Sequence, residues 1–461
     1  MSNNKTHHPS FSRRNFLTAA SSAVVFNSIA VASGAARSIS SSNDFAQNFQ
    51  ELPDNFIYLN SGTEGTMPQI VLENYKNNLY QWASNPTFSY ELDPILGKHQ
   101  HINRTRVAKF LNVKKNNICL TDNTTMGLSM TLMGLNFSSS DKVIMTNHEH
   151  NAISGPLQLL HDRMGLKVIT RNFPPSKQLA LMNETELLDV LLPDSKELRG
   201  AKALCVSHVY PTTGVRLPLK ALRTKVQKLG IKYLIVDGAQ AMGMIDISRG
   251  ADHIAHCDFY ACPGHKWLNG PPSTGILYIK NAHIKPPEFY PTLSQRMGKY
   301  SGCEQGTDCH FPMTEALQVR GCSNATGFAA MTDAMTFINN AGGASQVEKY
   351  ILILAGKMKS FLLQKSPLSL ISPSKSNSLL TGITAFFPFS WHNPHKIFKD
   401  KKTASHVVST LLKKNIQIRY IGFHDGKNDE VYALRVSTAL FNDDQQLKKF
   451  QHELKKVLQS I

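Results

Sequence analysis

The feature that most constrains the fold is a regular alternation of short apolar strands with helical segments along the middle of the chain. The predicted strands lie at 118–120, 143–145, 167–170, 203–206, 234–236, 257–261 and 275–279. Segments with apolar residues at helical spacing fall between them, at 126–135, at 184–192 and between Pro218 and Gly230. This alternation predicts an α/β fold whose large domain has a mostly parallel, helix-covered sheet. Ligands of such sheets bind at the carboxyl ends of the strands.

Two polar residues directly follow neighbouring strands and point to a cofactor. Asp237 comes directly after the apolar run at 234–236, and Lys266 comes shortly after the strand at 257–261. Pyridoxal 5'-phosphate (PLP) needs a lysine that holds its aldehyde as a Schiff base and an acid that keeps its pyridine nitrogen protonated. Taken alone, Lys266 would be a surface lysine and Asp237 a strand-end acid that caps a turn. Their order along two strands favours PLP, with Lys266 as the catalytic lysine and Asp237 at the pyridine nitrogen.

Other residues at strand ends are candidates for cofactor binding. Thr124 and Thr125 open a helix, whose free amides and dipole favour a phosphate. A simple threonine N-cap is the competing interpretation. His265 can add a ring donor to the phosphate, and Gln240 can donate to the phenolic oxygen of the cofactor.

The segment His148-Glu149-His150 follows the strand at 143–145. His150 is the second catalytic candidate, because an imidazole can lie flat on the pyridine ring and carry a proton. The two histidines also suggest a metal site. Alternate residues of a strand point in opposite directions, however, and no third ligand is evident, so we predict no metal.

After residue 340 the alternation of strands and helices becomes less regular, and we place a domain boundary near Gly342-Gly343. Residues 55–340 then form the large cofactor-binding domain, with 55–75 able to pack against the small domain, and 341–461 form a smaller α+β domain. Arg435 lies on a predicted strand of the small domain, where its guanidinium can bind a substrate carboxylate bidentately. A surface salt bridge is the alternative. Asn60, in a glycine-rich turn, is a second substrate-binding candidate.

The first 36 residues predict an export signal. Ser12-Arg13-Arg14-Asn15-Phe16-Leu17 precedes a moderately apolar run that ends in small residues near Ala36, which resembles a twin-arginine signal. A disordered basic tail is the alternative. We expect transport by the twin-arginine export machinery, cleavage near Ala36, a flexible start at 37–54 and a periplasmic mature protein. The run is too polar to span a membrane, so we expect no stable membrane insertion.

Charge and cysteine content bear on partners. The 461-residue chain carries a formal net charge of +17, but its basic residues are dispersed or lie on the polar face of a C-terminal helix. We therefore expect a small-molecule substrate and no nucleic acid. The seven cysteines include no CxxC pair and so show no zinc signature. Cys303 and Cys309 are close enough to pair in an oxidising compartment, and unpaired loop cysteines fit equally well.

Taken together and in order, these segments resemble the class V aminotransferase family of fold-type I PLP enzymes. The matching pieces are VDGAQAMG, HKWLNGPPSTGILY, NHEHNA and LRVSTALFN, and YLNSGTEGTMP resembles the N-terminal turn of the isopenicillin N epimerase-like subgroup. The resemblance covers about residue 56 to the C-terminus and implies a homodimer with its active site at the subunit interface. It implies these roles: Lys266 for the Schiff base, Asp237 for the pyridine nitrogen, Gln240 and His208 near the phenolic oxygen, His150 for stacking, Thr124, Thr125 and His265 for the phosphate, and Arg435 for the substrate carboxylate.

Three departures from the family pattern bear on the reaction. Pro263 stands where a hydroxyl residue is frequent, and Gly321-Cys322 stands where the neighbouring subunit often supplies Gly-Thr. Cysteine desulfurases of the family carry a nucleophilic cysteine on a loop that corresponds to 418–427, and here that loop reads IRYIGFHDGK.

We therefore expect an aminotransferase that acts on an amino acid or amine-bearing metabolite, and a desulfurase is disfavoured. An epimerase or lyase on the same scaffold, tailoring a secreted peptide metabolite, is the alternative. A non-catalytic binding protein is a third hypothesis, which the presence of Lys266 disfavours. A dinucleotide-binding oxidoreductase would carry GxGxxG after its first strand, and the chain lacks that motif.

Overall fold

The structure, a computed structural model, describes residues 43–92, 101–292, 312–426 and 429–461. The predicted export signal, Cys303 and Cys309 lie outside these ranges. Among the described helices, none has the length and apolar character needed to cross a membrane.

The strands and helices follow the alternation that the sequence predicts. The strands are β1 (Ile57–Tyr58), β2 (Ile118–Thr121), β3 (Lys142–Thr146), β4 (Lys167–Arg171), β5 (Ala203–Ser207), β6 (Tyr233–Asp237), β7 (Phe259–Pro263), β8 (Gly275–Ile279), β9 (Ile383–Phe386), β10 (Ile416–Gln417), β11 (Arg419–Asp425) and β12 (Asp429–Ser437). The helices are α1 (Asn43–Ala46), α2 (Gln69–Ser84), α3 (Ser89–Leu92), α4 (Ile102–Phe110), α5 (Thr124–Gly134), α6 (Asn151–Met164), α7 (Ser176–Leu179), α8 (Glu184–Leu191), α9 (Leu219–Lys228), α10 (Met313–Gln318), α11 (Ala325–Asn340), α12 (Ala344–Lys365), α13 (Lys401–Leu412) and α14 (Asp444–Gln459).

A seven-stranded sheet in the order β2-β8-β7-β6-β5-β3-β4 forms the centre of the fold. The strands from β7 to β4 pair in parallel, and only β8 runs antiparallel to its neighbours β2 and β7. The prediction of an α/β fold with a mostly parallel, helix-covered sheet is therefore confirmed.

Alternate residues of the central strands enter two separate cores, one on each face of the sheet. On β5, Leu204 and Val206 pack in one core, whereas Ala203 and Cys205 pack in the other. Successive side chains of a strand point to opposite faces, and both faces here are covered by helices. This explains why the strands read as continuous apolar runs.

A second, antiparallel sheet in the order β11-β12-β9 lies in the C-terminal part of the chain. The short strand β1 pairs in parallel with β10, so residues near the start of the described chain join those near its end. An isolated bridge between Asn60 and Ser437 extends this junction. The boundary that we place near residue 342 stays a prediction.

Candidate active site

The carboxyl ends of three central strands meet at one cavity. Ser207 and Asp237 are the last residues of β5 and β6 and pair in register, and Lys266 lies three residues beyond β7. All three line a cavity of about 390 Å³. This is the position at which parallel sheets bind ligands.

Lys266 is partly exposed and supplies an amine to this cavity. Burial lowers the pKa of Lys266 to about 8, although the carboxylate of Asp237 opposes this change. A sizeable fraction of the amine is therefore neutral near pH 8, as attack on an aldehyde requires. Gly65 packs directly against this segment: its N–H donates to the carbonyl of His265 at 2.8 Å, and a Cβ at residue 65 would overlap the carbonyl oxygen of Lys266.

Asp237 faces the same cavity with one carboxylate oxygen engaged. Its Oδ1 accepts the N–H of Ala239 at 2.7 Å. Burial raises the pKa of Asp237, while this bond and the charges of Lys266 and His150 oppose the rise. A cationic N–H partner would stabilise the carboxylate further, and the protonated nitrogen of a pyridine ring is such a partner.

The start of α5 lies at another part of the cavity wall. The side chain of Asn123 caps the helix by accepting the N–H of Met126 at 2.9 Å. The N–H groups of Thr124 and Thr125 belong to the first turn, where helix geometry supplies no carbonyl partner. Both threonines line the cavity, which suits an anion at the positive end of the helix.

The donor set of the cavity fits PLP. Three buried polar atoms of lining residues have no hydrogen-bond partner among the described residues: Thr124 Oγ1, His265 Nδ1 and Arg435 Nε. Two of them lie on the residues predicted to hold the phosphate, and the third on the residue predicted to bind the substrate. Buried polar atoms are rarely left without partners, so a bound group with several acceptors accounts for them.

His150 lines the cavity as the N-cap of α6. Its Nδ1 accepts the N–H of Ala152 at 3.2 Å. The neutral ring therefore carries its proton on Nε2, which leaves that atom as the donor. Its roles in stacking and proton transfer stay predictions.

Gln240 also lines the cavity, but most of its amide is already bound. Its Nε2 donates to the carbonyl of Gly62 at 2.9 Å, and its Oε1 accepts the indole N–H of Trp267 at 2.8 Å. One N–H of the amide is left to donate, and its contact with the phenolic oxygen of the cofactor stays a prediction.

Two predicted site residues are not brought to the cavity. His208 is buried on the other side of the strand end, with Nδ1 at 2.9 Å from the Tyr260 hydroxyl and Nε2 at 3.0 Å from Asp252. The alternation of side chains places Ser207 in the cavity instead. Asn60 lies behind Arg435, and its Oδ1 accepts from Arg435 Nη2 at 3.0 Å. Asn60 is thus placed to position the arginine, and its direct contact with the substrate stays a prediction.

Arg435 lines the cavity as predicted, and Arg419 lines it as well. Arg435 is 3% exposed, and burial followed by the charge of Arg419 lowers the pKa of Arg435 to about 10. Sequence reasoning missed Arg419. Arg419 and Ile421 are alternate residues of β11 and both line the cavity, a placement that depends on the pairing of β11 with β12.

Sequence reasoning also missed Glu149, a partly exposed glutamate next to the cavity. Glu149 accepts hydrogen bonds from the hydroxyls of Thr146 at 2.7 Å, Tyr210 at 2.8 Å and Ser207 at 2.7 Å. Burial raises the pKa of Glu149 to about 7, although the three hydroxyls oppose the rise. Ser207 thus links this carboxyl group to the cavity wall.

His148 and His150 do not converge on a common point. His148 Nδ1 lies 3.0 Å from the Thr212 hydroxyl, and its Nε2 lies 3.0 Å from the carbonyl oxygen of His424. Groups of His, Cys, Asp and Glu arranged to hold a metal are not found in the described ranges. Four cysteines of the described chain are buried, and Cys322 is exposed.

Known proteins are similar to this chain over most of its length. The family model described as Aminotransferase class-V matches residues 57–450. A probable cysteine desulfurase of Pyrococcus abyssi is 25% identical over 303 residues, which cover 65% of this chain and 70% of that protein. The apo structure of a cysteine desulfurase from Thermococcus onnurineus NA1 has a TM-score of 0.70 and 21% identity, covering 91% of this chain and 98% of that one. The complex of the cystine C–S lyase C-DES with its reaction product cysteine persulfide has a TM-score of 0.69 and 22% identity, covering 88% of this chain and 99% of that one.

These comparisons contradict the expectation of an aminotransferase with a desulfurase disfavoured. The similar proteins are described as cysteine desulfurases and as a C–S lyase. The error came from giving too much weight to the missing loop cysteine. That cysteine serves as the acceptor of the sulfur, so its absence does not bear on whether a carbon–sulfur bond is broken at the cofactor.

Proposed function

Because the chain belongs to the class V aminotransferase family, we propose that it is a PLP-dependent lyase that breaks a carbon–sulfur bond of an amino acid. The observation that carries the proposal is one cavity lined by Lys266, Asp237 and Arg435. A base, an acid for the cofactor and a carboxylate-binding group can thus act on one substrate. The choice of bond is supported by the relatives, which are described as cysteine desulfurases and a cystine C–S lyase.

Five residues that line the cavity have a proposed task in binding the cofactor. Lys266 would hold its aldehyde and Asp237 its pyridine nitrogen. The amides of Thr124 and Thr125, together with His265, would hold its phosphate. When bound, PLP supplies an electron sink that stabilises negative charge on the carbon bearing the substrate amine.

The substrate-facing residues then account for the bond changes. Arg435 would bind the α-carboxylate and orient the α-proton toward Lys266. The amine of Lys266 would be free to accept this proton, because the amine of the substrate takes its place at the cofactor aldehyde. The electron pair of that C–H bond forms a double bond to the β-carbon, and the C–S bond breaks with its electrons on sulfur. His150 Nε2–H can protonate the departing sulfur. Water then hydrolyses the remaining enamine, and the products are a thiol or persulfide, pyruvate and ammonium, with no net oxidation.

Sulfur would leave in a small molecule under this proposal. Among the described residues that line the cavity, none is a cysteine. Release in a small molecule matches the reaction product of the similar C–S lyase, which is cysteine persulfide.

The lyase proposal is tested with PLP-loaded protein and L-cystine. We expect pyruvate, ammonium and persulfide in equal amounts, and we expect Lys266→Ala to lose both the visible absorption of bound PLP and all pyruvate formation. Arg163→Gln, on the exposed face of α6 near its far end, serves as the control and should keep both. Wild-type protein with a normal PLP spectrum that forms no pyruvate from L-cystine or S-substituted cysteines would refute the lyase.

A second candidate is epimerisation, as in the isopenicillin N epimerase-like subgroup. One observation favours it: the turn that resembles this subgroup supplies Gly62 and Thr63 to the cavity wall. An epimerase would exchange the α-proton of its substrate with deuterium from the solvent and form the D-isomer without pyruvate. Chiral chromatography of the products separates this outcome from elimination.

We also propose a periplasmic homodimer exported through the twin-arginine machinery, with a small domain from residue 341. The Arg13-Arg14 pair supports the export route. Replacing both arginines with lysine should remove the protein from the periplasmic fraction, and unchanged localisation would refute the signal. Light scattering on the purified protein tests the dimer.

A further inference from the structure

Two arginines stand directly opposite each other on neighbouring strands. Arg419 of β11 and Arg435 of β12 are Cα partners in the antiparallel pair, and both side chains line the cavity. Like charges in directly opposed positions destabilise a sheet. The stability of the sheet therefore does not explain why two arginines occupy these opposed positions.

The two guanidinium groups also converge on one hydroxyl group. Arg435 Nη2 donates to Thr63 Oγ1 at 2.8 Å, and Arg419 Nη1 donates to the same atom at 3.2 Å. Within the described parts of the chain, neither arginine forms an ion pair. The charges are consequently left for a ligand to neutralise, and anionic groups are the ligands that two adjacent guanidiniums select.

The two arginines differ in solvent exposure, and this difference suggests a separate ligand group for each. Arg435 is buried and has an unpartnered Nε, so one carboxylate group is enough to satisfy it. Arg419 also lines the cavity but is exposed to solvent. An anion bound by Arg419 is therefore more accessible to solvent than a carboxylate bound by the buried Arg435.

We infer that Arg419 binds a second anionic group of the substrate, carried on its sulfur substituent. The substrate class is then an L-cysteine derivative with a negatively charged group beyond the sulfur. This inference rests on the proposed lyase function, which places a sulfur atom in the substrate. The two anionic groups are inferred from Arg419 and Arg435.

A pair of ligands with nearly the same shape and different charge tests the inference. S-carboxymethyl-L-cysteine carries the second anion, and S-carbamoylmethyl-L-cysteine replaces it with a neutral amide. Binding to the PLP-loaded protein is measured from the change in cofactor absorbance, and pyruvate is measured separately. We expect the wild type to bind the carboxymethyl compound about 10- to 100-fold more tightly, the effect of one charge-assisted contact.

Arg419→Gln should reduce this preference to about 2-fold or less by weakening the carboxymethyl compound alone. Arg419→Lys, which keeps the charge, should retain part of the preference. Arg163→Gln, which removes one positive charge on the exposed face of α6, should keep the wild-type ratio. An unchanged visible spectrum of bound PLP verifies that each variant is folded.

The outcomes separate the two proposals. Equal affinity of the wild type for both compounds, or a preference that survives in Arg419→Gln, overturns the role of Arg419. A preference that depends on Arg419 without pyruvate formation supports that role and refutes the lyase. Pyruvate formed equally well from both compounds supports the lyase and refutes the second anion site.

Discussion

Replacing Lys359 with methionine should stabilise the protein by an amount that depends on pH. Lys359 lies on α12 in the buried stripe that includes Ala355 and Leu362, and it is 4% exposed. Its Nζ has no hydrogen-bond partner among the described residues. Burial lowers the pKa of Lys359 from 10.5 to about 7. Methionine is a similarly long, unbranched side chain that carries no charge into the core.

The magnitude follows from this pKa change. At about 1.4 kcal/mol per pKa unit, a fall from 10.5 to about 7 corresponds to about 5 kcal/mol. The unfolded chain keeps the proton up to about pH 10.5 and the folded protein only up to about pH 7, so the free energy of unfolding of the wild type rises with pH in this window. The variant lacks this dependence. Its advantage should be about 5 kcal/mol near pH 6 and about 1–2 kcal/mol near pH 10, where only an unbonded neutral amine remains.

Urea unfolding of the cofactor-free protein, followed by circular dichroism from about pH 6 to about pH 10, measures this difference. Lys349→Met, at an exposed position of the same helix, is the matched control and should change the free energy of unfolding by less than about 0.5 kcal/mol at every pH. The reasoning is refuted if Lys359→Met is no more stable than the wild type near pH 6. It is also refuted if the advantage does not shrink as the pH rises.

Three further predictions concern the cavity. Gly65→Ala should weaken PLP binding at least about 10-fold, because the new Cβ overlaps the backbone carbonyl of Lys266. Absorbance titration measures this affinity. Gly155→Ala, with open space around its Cβ, should bind PLP normally. Glu149→Gln should change how the free energy of unfolding depends on pH. The pKa of the Glu149 carboxyl is 4.5 in the unfolded chain and about 7 in the folded protein, so the wild type should lose about 3 kcal/mol relative to the variant as the pH rises through this range. The same pH dependence in both proteins would contradict this. Asn60→Ala should weaken amino-acid binding about 10-fold through a loosened Arg435, with the absorption of bound PLP unchanged; an unaffected affinity would exclude the positioning role.

Local patterns predicted most of the central sheet and the cofactor end of the cavity. Each central strand is an apolar run bounded by turn residues, and the helical pattern at 184–192 corresponds to α8. Asp237 and Lys266 were found because residues at the ends of parallel strands must meet at one edge of the sheet. That inference needs only the connection rules of α/β folds.

The substrate end of the cavity depends on contacts that local patterns do not encode. Arg419 and Thr63 meet through the pairing of β11 with β12 and the placement of the N-terminal turn beside them. The difference between Ser207 and His208 is a single step along a strand, which reverses the direction of the side chain. The reaction was misjudged for another reason, since a residue missing from one loop was given more weight than the rest of the family resemblance.

The contact between the N-terminal turn and β12 has a consequence for biosynthesis. The hydrogen bond between Arg435 and Asn60 joins residues 375 positions apart, so the turn that supplies Gly62 and Thr63 leaves the ribosome long before its partner strand exists. Contacts of such high sequence separation form late in folding. The cavity can therefore close around a cofactor only after nearly the whole chain has been synthesised. Binding of PLP would then occur only in fully folded chains. Chains that end before β12 would bind no PLP and would remain colourless.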